Sequence, residues 1–135
     1  MIEVRFKLAY PGFALDIDLA LPGQGITALF GHSGSGKTTV LRAIAGLERV
    51  PDGRLVMDGE VWQDQAVFLP THRRPLGYVF QEASLFPHLS VRANLEYGRR
   101  RSAGVGAGDA AFDHIVALLG IGMLLDRRPE RLSGG

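Results

Sequence analysis

Between a short uncharged run, Ile26-Thr27-Ala28-Leu29-Phe30, and an apolar series at helical spacing, Val40, Leu41, Ile44, Ala45 and Leu47, the chain carries Gly31-His32-Ser33-Gly34-Ser35-Gly36-Lys37-Thr38. Every fixed position of the pattern G-x-x-x-x-G-K-[ST] is filled. From ordinary residue frequencies, a chance match in a chain of this length arises about once in two hundred sequences. The flanks supply the context that the pattern requires. An uncharged run suits a strand covered on both faces, as in a parallel α/β sheet, and the series that follows suits a helix ending near Gly46.

Each residue type in the loop has a physical task. Glycines allow successive backbone N–H groups to turn inward around phosphate oxygens, making an anion nest at the positive end of the next helix. Lys37 is placed to reach β and γ oxygens, and the Thr38 hydroxyl to ligate Mg²⁺. Thr39 and its backbone would face the α-phosphate. A plain strand-to-helix turn would use the glycines without requiring the Lys-Thr pair. The loop therefore predicts a nucleotide, and leaves open which reaction uses it.

The rest of the chain reads as elements around that loop. Ile2, Val4, Phe6 and Leu8 alternate with charges, and Phe13, Leu15, Ile17, Leu19 and Leu21 repeat the alternation, which predicts an antiparallel pair turning at Tyr10-Pro11-Gly12. Leu55-Val56-Met57 and Glu60-Val61-Trp62 flank Asp58-Gly59, a hairpin signature. The run from Leu76 to Phe80 reads as a second buried strand ending at Gln81. Ser90 is a candidate cap for a helix bearing Val91 and Leu95. Arg99 to Gly108 reads as a linker, charged and then rich in glycine and alanine. Phe112, Ile115, Val116, Leu118 and Leu119 predict a further helix stopped by Gly120.

Composition narrows the function classes. With 15 basic and 14 acidic residues the net charge is +1, which excludes a strongly basic nucleic-acid arm. The chain has no cysteine, so disulfides and thiolate metal sites are ruled out. His32, His72, His88 and His114 have no partner at metal-ligand spacing. Arg73-Arg74 and Arg99-Arg100-Arg101 read as solvated faces. No apolar stretch approaches the ~20 residues of a membrane helix, and the first residues do not form a secretion signal.

Two further segments carry a resemblance. Gly77-Tyr78-Val79-Phe80-Gln81 followed by Leu85-Phe86-Pro87-His88-Leu89-Ser90-Val91 resembles the Q-loop region of ABC transporter ATPases, importers above all, and Leu132-Ser133-Gly134-Gly135 is similar to the start of their signature motif. The stretch from Val61 to Gly98 is most similar to the ATPases of molybdate importers. The resemblance implies a P-loop α/β fold: a RecA-like core with an antiparallel β subdomain over residues 1–80, and the Q-loop with a partial helical subdomain over 81–135. It further implies that Gln81 meets the γ-phosphate and Mg²⁺, that Tyr10 stacks on adenine with Phe13 as competitor, and that Ser133, Gly134 and Gly135 act on the ATP of a second subunit in a head-to-tail dimer. Permease subunits at the cytoplasmic side of the membrane, and indirectly a solute-binding protein, are the implied partners.

The departure from the family pattern lies at the end of the sequence. The Walker B aspartate, the water-activating glutamate and the switch histidine have no counterpart in these residues. Asp126, in Leu124-Leu125-Asp126-Arg127, follows two glycines and precedes Arg-Arg-Pro, so it reads as loop or short helix. The expectation is an N-terminal piece of a longer subunit, able to bind nucleotide and unable to turn it over. Importers of sulfate, polyamines or sugars share much of the pattern. Another P-loop enzyme is the remaining alternative, although the N-K-x-D motif of a guanine-selective site is absent from these residues.

Overall fold

The two alternating segments at the start of the chain close on each other. In the computed structural model, which describes residues 1–82, 84–101 and 109–132, β1 (Ile2–Tyr10) and β2 (Phe13–Leu21) pair antiparallel from Ile2 opposite Leu21 to Tyr10 opposite Phe13. Val4, Phe6, Leu8 and Leu15 are buried, while Arg5, Lys7, Asp16 and Asp18 stay exposed. A strand with a period of two has this one wet face. Arg5 pairs there with Asp18 at 2.9 Å and Lys7 with Asp16 at 3.1 Å.

β3 (Arg54–Met57) and β4 (Glu60–Gln63) form the second hairpin. Its turn residues, Asp58 and Gly59, hold φ values of 48° and 86°, the pair of positive angles that matches strand twist in a two-residue loop. β3 also pairs antiparallel with β1, giving the order β2-β1-β3-β4. α1 (Lys37–Ala45) contributes Val40 and Ala43 to the core shared by Phe6, Leu8, Val50, Leu55 and Trp62. The helix ends in a Schellman motif, with Gly46 N–H donating to the Ala43 carbonyl at 3.0 Å and Leu47 N–H to the Arg42 carbonyl at 2.9 Å.

Two sequence expectations are corrected here. Neither 26–30 nor 76–80 joins the sheet, and Ile26, Phe30 and Val79 are 101%, 98% and 95% exposed. An uncharged run becomes a covered strand only when neighbouring strands complete its ladder and other layers bury both faces. Among the described residues the sheet consists of two hairpins joined edge to edge through β1 and β3, and neither run is paired with it.

The chain divides into two compact units, Met1–Val79 and a second beginning at Phe80. In the second, Ser90 Oγ accepts from the Ala93 N–H at 3.2 Å, capping α2 (Val91–Arg101) as expected. α3 (Asp109–Leu118) runs out just before Gly120. Val91, Val116 and Leu125 form a small core with Phe112, Ile121 and Leu132 packed against it. The expected linker is helical at its start: Arg99, Arg100 and Arg101 make the last turn of α2. Arg100 pairs with Glu96 at 3.2 Å, and the Arg101 guanidinium lies 3.6 Å from the Tyr97 ring centre. The rest of that stretch, 102–108, lies outside the described residues. Asp126 is exposed in a turn after a single 3-10 turn, Gly122–Leu124, so it is loop, as read.

Candidate functional site

Glycine at position 36 is demanded twice. Its φ is +90°, at the N-cap of α1, a conformation that costs a side-chain-bearing residue about 1–2 kcal/mol. A Cβ there would also stand 2.5 Å from Phe13 Cζ and 3.3 Å from Leu15 Cδ1. Replacing Gly36 by alanine is therefore expected to destabilise the full-length protein by about 2–3 kcal/mol, strain and overpacking together. Denaturant titration measures the loss.

Beyond Gly36 the first intrahelical bond runs from Val40 N–H to the Gly36 carbonyl at 2.9 Å. The N–H groups of Lys37, Thr38 and Thr39 precede the ladder and sit at the positive end of the helix. Lys37 folds back over its own loop. Its Nζ donates to the Gly31 carbonyl at 2.8 Å, the His32 carbonyl at 2.6 Å and Ser35 Oγ at 3.3 Å. One ammonium thus gathers both ends of the loop, through contacts that phosphate oxygens could take over. The Ser35 N–H returns to the His32 carbonyl at 3.2 Å, and His32 Nδ1 lies 2.8 Å from the Ser33 carbonyl. Thr38 is exposed beside Lys37, whereas Thr39 is half-buried. Ser33 and Gly34 lie exposed at the loop's turn.

The aromatic candidates stand next to this loop. Phe13 occupies the space that a Gly36 side chain would need, and Tyr10 faces Phe13 across the hairpin, with ring centres 6.5 Å apart and planes 20° from parallel. The Tyr10 hydroxyl donates to Glu48 Oε1 at 2.7 Å. The Tyr10 pKa is raised above its ordinary value, first by the hydrogen bond to Glu48, then by desolvation and by the charge of that carboxylate. Gln81 lies in the second unit, exposed and in a bend. Ser133, Gly134 and Gly135 lie outside the described residues.

Comparison with known proteins brings these observations together, because residues 15–135 match the ABC transporter family. The chain belongs to the ABC transporter family. It is 72% identical over 134 residues to the molybdenum import ATP-binding protein ModC of Thiobacillus denitrificans, and 64% identical over 134 residues to that of Methylococcus capsulatus. Each match covers 99% of this chain and 37% of the relative, so the chain spans little more than a third of the length of these curated relatives. In fold it is similar to a dimeric post-hydrolysis structure of the ATP-binding cassette MJ0796 bound to ADP and Pi, with a TM-score of 0.74 at 20% identity, over 99% of this chain and 64% of that one. The fold is thus that of an ABC ATPase cassette, present in part.

Sequence reasoning missed two residues that shape this ABC chain. Arg74, read as half of a solvated pair, is only 4% exposed. Its Nη1 donates to the Ala43 and Ile44 carbonyls at 3.0 and 2.5 Å, and its Nε to the Leu69 carbonyl at 2.8 Å. The guanidinium also lies 5.6 Å from the Trp62 ring centre and 5.2 Å from that of Phe68. Burial lowers its pKa from the ordinary arginine value, and Nη2 is buried without a hydrogen-bond partner. A cation at the last carbonyls of α1 complements the negative end of the helix. The second residue is Asn94. Its amide bonds the carbonyls of Phe86, Leu89 and Ser90 at 3.2, 3.3 and 2.9 Å, and its Oδ1 accepts from the Phe86 N–H at 2.7 Å, which pins the segment after Gln81 to α2. A lone asparagine four residues after a capping serine was the only sequence signal.

Proposed function

We propose that this chain is the N-terminal part of the ATP-binding subunit of an ABC importer, which couples ATP binding and hydrolysis to uptake of molybdate. The observation that carries the nucleotide half is the loop of 31–38 closed over the Lys37 ammonium at the N-terminus of α1. Similarity to molybdenum import ATP-binding proteins carries the solute.

In this reading the N–H groups at the start of α1 and the loop amides of Gly31 to Gly36 wrap the phosphates, a geometry suited to anions. Lys37 exchanges its carbonyl partners for β and γ oxygens and offsets the charge that develops there. The donor set suits Mg²⁺, because Thr38 presents an exposed hydroxyl, a hard oxygen donor that would hold the ion alongside phosphate oxygens, with the Gln81 amide oxygen added by the family motif. When bound, Mg²⁺ neutralises phosphate charge. Tyr10 offers a half-exposed ring to the base. Gln81 and the segment Ser133-Gly134-Gly135 enter through the family motifs alone, the former sensing the γ-phosphate and the latter closing on the ATP of a second ATPase subunit.

Permease subunits and an attached solute-binding protein complete the assembly, with the ATPase peripheral on the cytoplasmic side. No helix among the described residues is long and apolar enough to cross a membrane. The expected result is that the full-length gene restores molybdate uptake to cells lacking their own importer ATPase, whereas a Lys37→Ala version does not. Restored sulfate or polyamine uptake without molybdate would replace the solute, and restoration by the Lys37→Ala version would overturn the ATPase reading.

A further inference from the structure

The Tyr10 ring is held from two directions, and one of them leads back to the phosphate helix. Across the hairpin it faces Phe13, which abuts Gly36 at the start of α1. At its hydroxyl it bonds Glu48 Oε1 at 2.7 Å. Glu48 follows directly on the Schellman end of α1, and its other oxygen lies 3.7 Å from Arg42 Nε in the last turn of that helix. A single helix therefore carries Lys37 and Thr38 at one end and, just past the other, the carboxylate that fixes an aromatic ring. The residue as a whole remains accessible, Tyr10 being 49% exposed. A phenol without this anchor would rotate about its χ1 and χ2 bonds, and a base stacking on it would have to arrest that motion at an entropic cost.

We propose that Glu48 is a positioning residue for nucleotide binding: by accepting the Tyr10 hydroxyl it presets the ring against which a purine base stacks, and so favours nucleotides over bare polyphosphates. This rests on the nucleotide-binding reading above. A bond of this kind, exposed and to a charged acceptor, is worth a modest factor.

The test compares MgATP and magnesium tripolyphosphate binding to the full-length subunit by calorimetry. Tyr10→Phe and Glu48→Ala are each expected to weaken ATP about three- to tenfold and to leave tripolyphosphate unchanged. The double variant should be no weaker than either single one, and Glu48→Gln, which keeps an acceptor oxygen, should bind ATP like the parent. Equal weakening of both ligands by Glu48→Ala would reduce Glu48 to a structural residue and overturn the proposal. So would additive losses, or tighter ATP binding, which would mean that the bond parks the ring away from the base. Lys37→Ala separates the two levels of inference. If it weakens both ligands while the Tyr10 and Glu48 variants do nothing, only the positioning role falls. If it weakens neither, the loop is not the nucleotide site and the underlying reading falls as well.

Discussion

Replacing Lys37 by alanine in the full-length subunit is expected to slow steady-state phosphate release by at least a hundredfold. The ammonium is the formal cation inside the loop, held by the Gly31 and His32 carbonyls and Ser35 Oγ. Removing a preorganised charge from the position where negative charge develops costs on the order of 3 kcal/mol in the chemical step, which is a factor of more than a hundred. Packing should barely change, because Lys37 lies outside the core of α1, to which Val40 and Ala43 belong. Unfolding midpoints of parent and variant should therefore agree while the rates diverge. Phosphate release at the parental rate would refute the role given to Lys37.

Arg74→Met should show the opposite pattern, with a large loss of stability. The guanidinium serves three carbonyls, two of them at the end of α1, and packs on Trp62 and Phe68. Methionine fills part of the volume and supplies no donor. Carbonyls left without a partner away from water cost about 1–3 kcal/mol each at most, and water reaching the loosened helix end recovers part of it. A net loss of about 3 kcal/mol is expected from denaturant titration of the full-length protein. Arg74→Lys keeps the charge, but a point-like ammonium cannot serve divergent carbonyls while lying flat on two rings, so it should recover less than half. A stability within 0.5 kcal/mol of the parent in the methionine variant, as is usual for surface changes, would show that the last turn of α1 does not depend on this contact.

These two residues also mark what was legible in the sequence. Lys37 could be assigned a task because its neighbours in the chain are its neighbours in space: the loop is built from consecutive residues and its glycines announce the backbone it needs. Both hairpins were legible for the same reason, since alternation and the Asp58-Gly59 turn are local signals. Arg74 was not legible, because two of the three carbonyls it serves lie some thirty residues earlier, and an arginine beside another arginine looks like solvent-facing charge until the fold brings a helix end to it. The bond between Tyr10 and Glu48 spans 38 positions and was invisible in the same way. The runs 26–30 and 76–80 erred in the other direction. Their composition would suit a strand covered on both faces, but it says nothing about which strands would stand at its edges, and pairing is settled by distant chain.

The way the loop keeps its lysine has a kinetic side. A long flexible cation recruited from solvent would surrender up to about 2 kcal/mol of rotamer freedom on meeting its ligand. Here the ammonium is already held by the Gly31 and His32 carbonyls and Ser35 Oγ, so in the proposed nucleotide site capture of a phosphate would be an exchange of oxygen partners around a stationary nitrogen. Release can run the same path backwards, the carbonyls reclaiming the ammonium as the anion departs. Under the proposed function, such a loop would let go as readily as it takes hold, as repeated cycles of binding and release require.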